Sequence, residues 1–220
     1  MMKLDIFSDP ICPWCYIGKS YLDRALEKVG NHPFNIQWHP FQLNPGMPQD
    51  GVDRKKYLET KFGSRDLAVK AYTPVLEHAN LAGLNLKLED IAKTPNTLSS
   101  HRLILWAWQE GVQNAVVSAL FKAYFVEGRD IGKNAVLVDI SHKAGISEDL
   151  VSRLLAGKND LEKVIELDKA ARKMGVNSAP TFILNGKHVI TGAQNVEFWS
   201  NLIIEAVSYT HLRAHETSRY

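Results

Sequence analysis

Cys12-Pro13-Trp14-Cys15 narrows the fold more than any other feature, because it sits where a strand pattern becomes a helix pattern. Leu4 to Ser8 alternates apolar and polar residues, as a half-buried strand does. Asp9-Pro10-Ile11 breaks that strand. A helix is predicted from Pro13, a residue suited to the first helical position because its missing N–H costs nothing there. Ile17, Tyr21, Leu22, Ala25, Leu26 and Val29 give the helix an apolar face, and Gly30-Asn31-His32-Pro33 ends it. Phe34, Ile36 and Trp38 then alternate with Asn35, Gln37 and His39 in a second strand. Strand–helix–strand implies a right-handed parallel crossover.

The Pro/Gly-rich segment from Phe41 to Pro48 follows, and from about Asp53 to Met174 the pattern is helical. Helices are predicted over Arg54–Phe62 and Asp66–Leu81, the second with a kink or break at Pro74. Gly83 to Asp90 is a connection. Asn96–Glu110 places Leu98, Leu105 and Trp108 on an apolar stripe, and Val112–Glu127 turns Val116, Leu120, Tyr124 and Phe125 inward. Ala135–Ala144, Glu148–Leu155 and Asp160–Lys173 complete the series, with Trp106, Trp108 and Trp199 expected in the core. Pro180–Leu184 and Lys187–Thr191 flank Asn185-Gly186, a strong hairpin signal. Asn195 caps a last helix whose apolar face is Phe198, Trp199, Leu202, Ile203 and Ala206. The order is β-α-β, a helical block, then β-β-α. An α/β sheet split by a large all-helical insertion accounts for it, with residues 1–45 and 175–207 as core and 46–174 as insertion, its last helix bridging to the core.

The 220 residues carry a net charge of +2, and the densest basic cluster, Arg54-Lys55-Lys56, reads as a solvated helix face. Neither a nucleic-acid nor a membrane-surface partner is expected. No apolar run reaches about 18 residues, and the N-terminus lacks the apolar stretch of a secretory signal. If the start is native, the protein is expected in the cytoplasm. Oligomeric state is not legible. Residues 208–220 do not continue the helical pattern before them; Ser208 to Thr217 resemble a translated sequencing adapter, and the whole stretch to Tyr220 is expected to be a non-native tail. That bears on a zinc reading, since His211 and His215 are what would complete a two-Cys, two-His ligand set with Cys12 and Cys15; no metal is expected.

Cys12 and Cys15 are the only cysteines. A bridge across so short a loop constrains little of the unfolded chain, so their spacing is better explained by chemistry than by stapling. The helix start favours negative charge at Cys12, lowering its pKa toward the ~3.5–7.5 range of such motifs. Cys15, one turn on, is placed to resolve a mixed disulfide formed by Cys12.

In this context the chain resembles the DsbA-like branch of the thioredoxin superfamily, and within it the FrnE-like subfamily. The matching residues are Asp9, Cys12-Pro13-Trp14-Cys15 and Gly18; Asn96-Thr97 with His101-Arg102-Leu103; Ala123-Tyr124-Phe125 with Gly128 and Asp130-Ile131; and Gly175-Val176, Ala179-Pro180-Thr181-Phe182 and Gly192-Ala193-Gln194. The resemblance implies a thioredoxin-like fold with a helical insertion and a thiol–disulfide oxidoreductase acting on protein or small-molecule disulfides. It implies no bound cofactor, with glutathione as a candidate co-substrate. It further implies that Pro180 is a cis proline facing the dithiol, with Ala179 offering its backbone to substrate; from the residues alone Pro180 reads as a strand-start proline. Pro13, Trp14, Asp9 and His101 are the remaining candidates for the substrate site. Asp9 reads equally as a turn residue, His101 as a hydrogen-bonded helix histidine, and His39 and Asn44 as loop residues at the sheet edge. Trp14 is expected to stay out of the core and serve a docking surface. Competing readings are a glutathione-linked isomerase of the 2-hydroxychromene-2-carboxylate isomerase or kappa-class transferase type, a chaperone-like binding module, and a structural zinc module.

Overall fold

A computed structural model describes the backbone of residues 1–217 and the side chains of residues 1–208. The first strand, β1 (Met2–Ser8), lies parallel to β2 (Phe34–Pro40), with α1 (Pro13–Val29) connecting them. The hairpin β5 (Thr181–Leu184) and β6 (His188–Thr191) adds antiparallel to β1, giving the order β2-β1-β5-β6. Asn185 and Gly186 turn the hairpin at φ 52° and 68°, the left-handed conformation that this pair tolerates. Because side chains alternate across a strand, β1 serves two layers. Leu4 and Ile6 pack with Ile17, Leu22 and Trp199, whereas Phe7 joins Phe41, Ala171 and Val176. Each of the buried leucine, isoleucine, valine and phenylalanine side chains contributes about 1.5–3 kcal/mol. The last helix, α9 (Val196–Thr217), packs on α1 and is capped by Asn195, whose carboxamide oxygen accepts the Phe198 N–H at 2.9 Å.

Between β2 and β5 come α2 (Arg54–Phe62), α3 (Arg65–Leu81), α4 (Leu98–Gln109), α5 (Gln113–Phe125), α6 (Asn134–Lys143), α7 (Glu148–Ala156) and α8 (Leu161–Lys173). The segment is not wholly helical. Two-residue strands β3 (Val52–Asp53) and β4 (Lys93–Thr94) pair antiparallel, too short to leave a periodic signal. Nor does Pro74 break α3: it faces solvent, where the Lys70 carbonyl that loses its amide partner is open to water.

Three apolar assignments change. On α4 the buried residues are Ser100, His101, Arg102, Leu103, Ile104, Trp106 and Ala107, while Trp108 is exposed and Leu98 and Leu105 are half-buried. Phe198 points outward beside the buried Trp199. Trp14 is half-buried, its ring edge-on to His78 of α3 at 5.3 Å, so it packs against the insertion rather than standing free. Arg54, read as solvated, is 4% exposed. Helix α9 continues to Thr217, past the end of the apolar pattern at Ala206, and His211 and His215 lie outside the residues whose side chains are described.

Candidate active site

The strand-to-helix turn after β1 builds the site. Cys12 is the N-cap of α1 with extended backbone (φ −88°, ψ 113°), and its carbonyl accepts the Cys15 and Tyr16 N–H groups at 3.1 and 3.3 Å. Pro13 occupies the first turn and is buried. Both cysteines are free thiols, 3% and 1% exposed. The Cys12 thiol donates to the Ala179 carbonyl at 3.5 Å. Ala179–Pro180 is a cis peptide and Pro180 is buried. Gly18 lets α1 approach this segment: a Cβ there would lie 3.3 Å from Pro180 Cγ and 3.4 Å from Ala193 Cα. Burial pushes the Cys15 thiol well up, and the adjacent Cys12 adds to the rise; the Ser8 hydroxyl and the Asp9 backbone oppose it.

Beneath the dithiol lies a closed polar cluster. Asp9 has no exposed surface; its carboxylate accepts the Leu43 N–H at 2.7 Å and the Ile11 N–H at 3.3 Å. Burial pushes its pKa up to about 7, against the pull of those two amides and the Thr97 hydroxyl, with Asp168 adding to the rise. His101 of α4 brings Nε2 to 3.8 Å from Asp9 Oδ1, too long for a hydrogen bond, and that nitrogen has no hydrogen-bond partner among the described residues. Burial pushes His101 down to about 4, opposed by Asp168. Between those values both groups are neutral, so the contact is not an ion pair. Asp168 of α8 accepts the Gln42 N–H at 2.7 Å and is paired with Arg172 at 2.9 Å, tying the last helix of the insertion to the chain leaving β2.

The turn thus gathers Asp9, Cys12, Pro13, Trp14, Cys15, Ala179 and Pro180, with His101 behind Asp9. His39 and Asn44 are engaged elsewhere. His39 Nε2 meets Asp5 at 2.6 Å and its ring stacks on Phe7; burial lowers its pKa, partly offset by Asp5. Asn44 exchanges hydrogen bonds with the Tyr57 hydroxyl at 3.0 and 3.1 Å, on the wall of an open cavity of about 660 Å³. The sequence reading missed Ser8, Thr97 and Asp168. Of these only Thr97 carried a signal, lying beside Asn96 in a matched motif. Among the described residues no three His, Cys, Asp or Glu side chains group as a metal site, and no helix is long and apolar enough to cross a membrane.

Comparison with known proteins agrees with this architecture. A family model described as a DSBA-like thioredoxin domain matches residues 3–203. The uncharacterised protein YwbO of Bacillus subtilis is 23% identical over 204 residues, 92% of this chain and 96% of that protein. Among solved structures, a probable DsbA oxidoreductase from Streptomyces coelicolor superposes with a TM-score of 0.83 at 25% identity, covering 94% of this chain and 91% of that one. The cytosolic disulfide reductase DsbM from Pseudomonas aeruginosa, solved with GSH, gives 0.66 at 21% identity, covering 96% and 99%. With a match running through sheet, helical insertion and returning hairpin, the chain belongs to the family of DSBA-like thioredoxin domains, a family of disulfide oxidoreductases and isomerases.

Proposed function

We propose that this chain exchanges disulfides through Cys12 and Cys15, as an FrnE-like enzyme of the cytoplasm acting on protein or small-molecule disulfides. The observation that carries the reading is the placement of Cys12, which caps α1 with its sulfur 3.5 Å from the Ala179 carbonyl. An extended substrate beside Ala179 would lie against the attacking sulfur. In the reducing direction the Cys12 thiolate attacks one substrate sulfur, and the other sulfur leaves as a thiol after taking a proton. Cys15 then gives up its proton and attacks Cys12 Sγ. The substrate sulfur that Cys12 had attacked departs with the electron pair of the mixed disulfide and takes up a proton, and Cys12–Cys15 is left oxidised. The dithiol itself carries the two electrons, so this half-reaction uses no bound cofactor, and two equivalents of a small thiol would return the disulfide to the dithiol while becoming a disulfide themselves. Glutathione is the first small thiol to try, since DsbM was solved with it. Compartment and redox direction belong to the same proposal.

The test is reduction of a glutathione mixed disulfide and of a protein disulfide by the wild type and by Cys12→Ser. Loss of both activities in the variant supports the reading, and retained reductase activity overturns it. A Cys12→Ser variant that lost reductase activity but kept a glutathione-dependent isomerisation would transfer the chain to the isomerase reading. Undiminished client protection by Cys12→Ser/Cys15→Ser would favour a chaperone-like module.

A further inference from the structure

We infer that the α2–α3 hairpin holds a binding site, separate from the dithiol, for a small anion with an apolar body, of the medium-chain carboxylate class. Arg54 opens α2 and is 4% exposed, yet no carboxylate meets it among the described residues. Its guanidinium donates to three hydroxyls, Tyr72 at 2.8 Å, Tyr124 at 3.0 Å and Thr94 at 3.4 Å, and lies over the Tyr72 and Tyr124 rings. Its Nε has no hydrogen-bond partner among the described residues. Hydroxyls and ring faces solvate a buried cation without neutralising it, so its field extends into the space beside it.

That space is a cavity of about 380 Å³ between α2 and α3, within the range of small-molecule sites. Arg54 and Tyr72 line it together with Leu58, Val69, Leu76 and Leu88. Lys55 and Arg65 also line it, against Glu59 as the one lining carboxylate. Tyr72 accepts from Arg54, and its own O–H has no acceptor among the described residues, so it is free to donate to a ligand. Charge and lining therefore ask for an anionic head near Tyr72 and Arg54 and an apolar chain along the leucines. Val69 and Leu76, 61% and 41% exposed, are the side chains such a chain would cover.

The full chain is titrated calorimetrically with decanoate and, in parallel, with decan-1-ol. One decanoate per chain is expected, with decanol weaker by about tenfold or more. Leu76→Trp fills the cavity from an exposed position and is expected to weaken decanoate binding by about tenfold or more without changing the circular dichroism spectrum. Arg54→Met, if it folds, should bring decanoate down to the affinity of decanol; if it does not fold, Leu76→Trp decides alone. Absence of saturable decanoate binding, equal binding of the alcohol, or unchanged binding in Leu76→Trp overturns the inference.

Discussion

Asp9 and His101 face each other at 3.8 Å, both shut away from solvent and with no hydrogen bond between them. They come from β1's exit and from α4, and each is displaced in the direction that burial dictates for its neutral form. The opposite shifts make opposite contributions to stability. Asp9, raised from 3.8 to about 7, binds its proton more tightly when folded, so its contribution is intact below 3.8 and is lost as pH rises toward 7. His101, lowered from 6.5 to about 4, is intact above 6.5 and loses its contribution as pH falls toward 4. At about 1.4 kcal/mol per pH unit the full extents are about 4 and about 3 kcal/mol. Asp168, paired with Arg172, and the Tyr124 hydroxyl are the other titratable groups coupled to this cluster. Urea unfolding across pH 4–7 should therefore show Asp9→Asn gaining stability relative to wild type as pH rises. His101→Gln should gain as pH falls. Parallel profiles for all three proteins would show that the pair does not titrate this way.

Cys15 lies deeper than Cys12, and its thiol is held protonated by burial beside Cys12. Attack and resolution are therefore separable. Cys15→Ser should accumulate a mixed disulfide between Cys12 and glutathione or a protein substrate, visible by intact mass, and Cys12→Ser should not. Turnover in Cys15→Ser is expected to fall by about a hundredfold or more while the first attack persists. If the trapped partner were found on Cys15 in Cys12→Ser instead, the two roles would be reversed.

Gly18 sets how closely α1 approaches the segment that accepts the Cys12 thiol. Alanine there meets Pro180 Cγ and Ala193 Cα at 3.3 and 3.4 Å, and its better helix propensity offsets that crowding, so Gly18→Ala should be near neutral. Valine cannot be placed without moving Pro180 or α1, at a cost of about 1–3 kcal/mol. Gly18→Val should lower both the melting temperature and the disulfide exchange rate, the rate by about tenfold or more if the Cys12–Ala179 contact opens. Unchanged exchange in a stably folded Gly18→Val would disconnect the contact from the chemistry.

What was legible in the sequence was local. The Cys12–Pro13 helix start, the inward face of α5 and the Asn185-Gly186 turn each declare themselves within a few residues. What was not legible depends on residues far apart in the chain. Arg54 looks like part of a basic helix face until Tyr72, Tyr124 and Thr94 close around it. Asp168 lies in a helix rich in charged residues, yet it is buried against Gln42. Periodicity marks apolar faces and is silent about a buried polar one. The stripe assigned to α4 failed for that reason: its inward face carries His101 and Arg102, and Trp108 took their place in the pattern.

Arg102 is the helix residue whose loss should reach furthest. It is 3% exposed, stacks on Trp106 at 5.0 Å, and donates to the carbonyls of Leu154, Gly157 and Asn159. Those carbonyls belong to the end of α7 and the turn into α8, where a helix leaves its last acceptors unpaired. Arg102→Met keeps the packing but leaves three charge-assisted, part-buried hydrogen bonds unmade, and should cost about 1–3 kcal/mol. Arg102→Lys should recover little, since one ammonium does not reproduce a planar fork spanning three oxygens. Because α8 also carries Asp168 to Gln42, the loosening should pass toward the chain beside Asp9. Hydrogen exchange is then expected to rise at residues 154–164 and, to a smaller extent, at 41–43. A loss of stability with exchange unchanged in both segments would separate Arg102 from the placement of α8.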